Sequence, residues 1–151
     1  MSNSLKNKNL DKLVNLLKIA LRSNSKAKSL DANGNVTYVD SDIFSQEVLE
    51  GFINLSISDF NQIPDFTAFT LNDDKFIELF SAILVEGSVL YALSSQALIE
   101  RGREFMMENN GVYFEPPSVS ELLNTQYCTL LEHHWVKLKE IKLNIKNFQA
   151  S

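Results

Sequence analysis

Cysteine is all but missing: the 151 residues hold one, Cys128. That excludes an internal disulfide and any zinc site built on several thiolates. Long hydrophobic runs are also wanting, since none is read as approaching the ~18–20 residues of a membrane span. Met1–Asn9 is too polar for a secretory signal, so the expectation is a protein made in the cytosol with no membrane partner. Gly-rich phosphate loops, the Gly-x-Ser-x-Gly elbow and His-Glu-x-x-His are absent from the sequence, and no enzyme and no cofactor are expected. Basic charge is in deficit, with 14 Lys+Arg against 19 Asp+Glu and a net charge of −5. A surface that wraps nucleic acid throughout is excluded on that balance.

Hydrophobic residues at 44% and charged residues at 22% are those of a folded chain, and the length suits one domain over 1–151. The net charge conceals a segregation. Met1–Lys28 carries seven basic residues and one acidic, and His133–Ser151 four and one, while the stretch between holds three basic and 17 acidic. Two readings stay open. Lys-rich solvated helices explain the ends; alternatively, residues 1–28 and 133–151 are docking extensions that meet acidic neighbours, such as the body of an identical subunit.

Periodicity predicts a mainly α protein of about four helices with two small β-hairpins. Leu10, Leu13, Val14, Leu17 and Leu21 form a stripe on a first helix from Asn9 to Arg22. Asn33-Gly34, followed by Val36-Thr37-Tyr38-Val39, predicts a hairpin. A second helix starts at Asp40 or Asp42 and runs to Phe60, with apolar residues enough for burial on more than one side. A long central helix follows from Asp74 to Glu104, with Gly87 and Gly102 as kinks or points of close packing. Phe105–Glu108 and Val112–Glu115 around Asn109-Asn110-Gly111 predict a second hairpin. Ser118 and Glu121 have the spacing of a capping box, and they open a last long helix reaching about Asn147.

Glu132-His133-His134 is the one sequence that invites a metal. Adjacent histidines on a helix point about 100° apart, and the positions that would share a face, Glu132 with Val136 or Tyr127 with Leu131, supply no second ligand, so no metal is expected. His134 is read as a partly buried polar residue and His133 as a surface one. Cys128 is read as a small buried hydrophobe, because Glu132 one turn on opposes thiolate formation. Glu100, Arg101, Arg103 and Glu104 form a charge cluster that is either a solvated helix end or an arginine contact to a neighbouring chain.

The run Leu98-Ile99-Glu100-Arg101-Gly102-Arg103-Glu104-Phe105, then Asn110-Gly111-Val112, Pro116-Pro117-Ser118-Val119-Ser120-Glu121 and a long closing helix, resembles structural proteins of tailed bacteriophages. More narrowly, it is similar to the small helical adaptors of the head-to-tail connector, in element order over about Asp40 to Phe148. That resemblance implies a structural virion protein assembled in the host cytoplasm. It implies a ring, usually of twelve copies, held between the portal and the adjacent tail or neck proteins, with genomic DNA passing through the lumen without sequence-specific binding. Within it, Lys137, Lys139, Lys142, Lys146 and Phe148 are the expected docking residues. Glu100, Arg101, Arg103 and Glu104 are the expected subunit-pairing residues. The rivals are a small cytosolic helical regulatory or protein-binding module acting through its basic N-terminal helix, and an enzyme using Glu132, His133, His134 and Cys128.

Overall fold

Among the described residues four helices carry the fold, in the order α1 (Lys8–Arg22), α2 (Gln46–Gln62), α3 (Asp74–Asn109) and α4 (Val119–Ala150). The computed structural model describes residues 7–22, 26–40, 43–111 and 118–150, without side chains at 22–29, 37–40 and 148–150. Leu13, Val14 and Leu17 of α1 are fully buried, as their spacing requires. Asn7 opens the helix by accepting from the amides of Asn9 and Leu10 at 3.0 and 3.4 Å. The Asn9 side chain then donates to the Leu71 carbonyl and the Asp74 carboxylate, each at 2.7 Å, which fastens the start of α1 to the start of α3.

Between α1 and α2 the backbone of Lys26–Leu30 (β1) and Val36–Asp40 (β2) pairs in antiparallel register, Lys26 opposite Asp40. At the turn, one oxygen of Asp31 accepts from the amides of Asn33 and Asn35, and Gly34 takes φ +80°. Leu30 and Val36 are exposed, and among the described residues the buried core is built by the helices with Ile63 after α2.

The start of α2 differs from the expectation. Ser45, not Asp40 or Asp42, is the cap, and its hydroxyl accepts from the Val48 amide at 3.4 Å. Asp40 ends β2, and Asp42 lies outside the described residues. The wide apolar face of α2 is buried at Leu49, Phe52, Ile53, Ile57 and Phe60, whereas Val48 and Leu55 remain exposed. The helix runs antiparallel to α3, bonded by Ser56 Oγ to the Leu84 carbonyl at 2.7 Å and by Ser88 Oγ to the Phe52 carbonyl at 3.3 Å. Phe60, Phe69 and Phe76 close the end of this layer, with the Phe69 and Phe76 rings stacked at 4.5 Å. Asn61 organises the loop to α3 by donating to the Phe69 carbonyl and accepting from the Phe69 amide and Thr67 hydroxyl.

The central helix is longer than its sequence suggests. Its 36 residues span about 54 Å at 1.5 Å each and absorb Phe105–Glu108, which are helical rather than the strand of a second hairpin. The Asn-Gly signal ends the helix instead: Asn110 and Gly111 donate to the carbonyls of Met107 and Glu108, and Gly111 takes φ +85°. The other expected strand, at 112–115, lies outside the described residues. Contrary to the hydropathy expectation, α3 contains an 18-residue window long and apolar enough to cross a membrane. In this fold 44% of that window is buried, and Phe76, Ile77, Leu84 and Leu90 point into the core.

The last helix returns antiparallel along α3. Its capping box forms as read: the Ser118 amide donates to Glu121 Oε2 at 3.2 Å and the Glu121 amide to Ser118 Oγ at 3.4 Å.

Candidate functional site

Two surfaces hold the residues singled out by the sequence. The first is the C-terminal half of α4, where the basic tail lies against its own chain. Lys137 Nζ sits 2.8 Å from Glu86 Oε2, and His134 Nδ1 lies 3.1 Å from Glu86 Oε1, so one carboxylate holds both. Partial burial pushes the Glu86 pKa up, but the bonds and charges from Lys137 and His134 more than offset it and leave the pKa below its ordinary 4.5. Lys146 Nζ meets Asp65 Oδ2 at 2.9 Å. Lys139 is exposed, and the side chain of Phe148 lies outside the described residues.

Lys142 departs most from its expected role. It is 2% exposed, with its ammonium donating to Thr67 Oγ1 at 2.7 Å and lying 5.1 Å from the centre of the Phe60 ring. Burial lowers its pKa, partly countered by Asp65. It is a strut between α4 and the loop before α3, not a surface docking residue. The periodicity carries the reason, because His134, Leu138 and Lys142 follow one another at four-residue steps on the buried stripe.

His134 is buried and His133 exposed, as the sequence indicates. Close packing explains His134 and Gly87 together. A β-carbon on Gly87 would stand 3.2 Å from His134 Nε2 and would overlap Ser56 Oγ. Beside this contact is a cleft of about 230 Å³ lined by Asp59, Tyr91, Tyr127, His134 and Trp135 among others. In it, the Tyr91 hydroxyl donates to Asp59 Oδ2 at 2.6 Å. Burial first, and then the Asp59 carboxylate, raises the Tyr91 pKa. Cys128 is exposed, not buried, because it stands off the α4 stripe that Tyr127, Leu130 and Leu131 occupy. Among the described residues, no three His, Cys, Asp or Glu side chains converge as a metal site would need.

The second surface is the far end of the α3–α4 pair. Among the described residues, no apolar side chain of α3 beyond Ala92 joins the buried core, and from about Ser94 α3 and α4 extend past it as an arm. Its tip is tied by Glu104, whose carboxylate accepts from the Ser120 hydroxyl at 2.6 Å and the Ser120 amide at 3.0 Å. Those two bonds hold the Glu104 pKa below its usual value. Glu100 accepts from Arg103 at 2.8 Å within α3. Arg101 faces a cleft of about 310 Å³ shared with Glu104, Phe105, Glu108 and Ser118. The four expected pairing residues therefore lie together on the arm, two of them engaged with each other and one with α4.

Sequence reasoning missed Glu86, Thr67 and Ser120, which are the intrachain partners of the residues it named. It also missed the arm's apolar face: Leu98, Phe105, Met106 and Leu122 are all exposed. No family model matches the chain, and neither a curated protein nor a solved structure matches it.

Proposed function

We propose that this chain is a non-enzymatic assembly protein, and specifically a structural virion protein of a tailed phage that forms a ring in the head-to-tail connector. In this reading the ring, of twelve copies, joins the portal to the tail or neck proteins and leaves a lumen through which DNA passes. The observation that carries it is the projecting α3–α4 arm. A monomer gains nothing from about 24 Å of paired helix that presents large apolar side chains to water, whereas an assembly buries them. The basic α1 and the acidic α3–α4 arm supply the two different patches that a heterologous, ring-closing contact requires. The order of elements from Asp40 onward, and the run Leu98–Glu121, supply the phage-connector part of the reading.

Native mass spectrometry of the purified chain, alone and mixed with portal protein, tests it. A ring, alone or only with portal, is the expected result. A monomer or dimer that ignores portal overturns the connector assignment and favours the small regulatory module.

A further inference from the structure

The arm and the outward face of α1 are complementary in three respects. The first is apolar surface. Leu98, Gly102 and Phe105 recur at four and three residues along α3, with nothing within 4 Å of where a Gly102 side chain would be, and Leu98 and Phe105 are 71% and 61% exposed. On α1, Ile19 is 66% exposed and Leu16 36%, one turn apart on the side away from Leu13 and Leu17.

The second is charge. The arm, 94–109 with 118–132, holds five acidic residues and two basic, whereas α1 holds four basic and one acidic. Two arms brought together would therefore repel, and an arm against α1 would attract. The third is length. The arm's segment of α3 is about 24 Å long and the 15 residues of α1 about 22 Å.

We propose that the apolar face of the α3–α4 arm docks on the outward face of α1 in a second copy of this chain. The proposal rests on the self-assembly reading above and names its contact. Each copy then gives one arm and receives another, so the contact is head-to-tail and propagates until a ring closes. Raising salt weakens it, since the attraction between the acidic arm and the basic α1 of the next copy is screened.

The test is complementation. Phe105→Glu removes the arm face and Ile19→Glu the α1 face, both at exposed positions, with helicity by circular dichroism as the folding check. Leu98→Glu and Lys12→Glu serve as a second pair. Each variant alone is expected to be monomeric by native mass spectrometry, and the two mixed are expected to give a one-to-one heterodimer that grows no further. The heterodimer forms because Ile19→Glu retains a working arm and Phe105→Glu a working α1.

Assembly by Ile19→Glu as complete as the wild type's would show arm-to-arm pairing and overturn the proposal. So would a wild type that stays monomeric to millimolar concentration, alone and with portal. The two readings fail separately. A chain that joins portal with both variants assembling normally overturns this contact and keeps the connector role. A heterodimer from a chain that ignores portal keeps the contact and overturns the role.

Discussion

The imidazole of His134 lies against the bare backbone of Gly87, so that a β-carbon there would stand 3.2 Å from Nε2. Gly87→Ala should therefore destabilise the fold by about 1–3 kcal/mol, because both Ser56 and His134 would have to move. Gly51→Ala is the control: it is helical and has nothing within 4 Å of the added carbon. It should stabilise by roughly 0.5–1 kcal/mol. Urea unfolding of the two variants reads both signs.

At Lys142 the charge is held in a place that favours its absence. Its folded pKa lies below the ordinary 10.5, so the folded state binds the proton less well than the unfolded chain does. Stability should rise as pH climbs from the folded value towards 10.5. Lys142→Met keeps the stem over Phe60 and removes that pH dependence, with stability at neutral pH changed by less than about 1.5 kcal/mol. Lys142→Ala also removes the packing and should cost about 2 kcal/mol or more. Thermal melts at neutral and alkaline pH distinguish these outcomes.

Glu86 behaves in the opposite sense. Its folded pKa is depressed below 4.5, so the stability it contributes is present above that value and is lost as pH falls through the folded pKa. Lys137→Met should raise the Glu86 pKa and shift the acid limb of the stability profile to higher pH. Carboxyl titration by NMR would report that directly.

The tip of the arm should loosen under the same conditions for a different reason. Glu104 must be ionised to accept both Ser120 bonds with full strength. Glu104→Gln, or acid, is expected to speed amide hydrogen exchange in the first turn of α4 while leaving α1 and α2 protected.

Cys128 is exposed, so a thiol reagent should modify it fully in the native chain. Slow or absent labelling before denaturation would contradict this placement.

Periodicity recovered what depends on neighbours in sequence: the buried stripe of α1, the reciprocal Ser118–Glu121 cap, and the separation of His134 from His133. It failed where one local signal serves two structures. A glycine at positive φ after two asparagines closes a hairpin or terminates a helix, and Phe105–Glu108 alone do not choose between them. Similarly, Asp40, Asp42 and Ser45 are all able caps, and the choice of Ser45 follows from where the chain has already been extended by β2. Lys142 was misplaced because its residue type was weighed above its position on the stripe. The arm was illegible for a deeper reason: which half of a long amphipathic helix is covered depends on the lengths of the other helices.

α3 runs as one hydrogen-bonded helix from the aromatic cluster at Phe76 to the exposed tip at Met107. Body and arm therefore share a single lever without a joint. A load taken at the tip reaches the Phe60–Phe76 packing through helix alone, with no loop between.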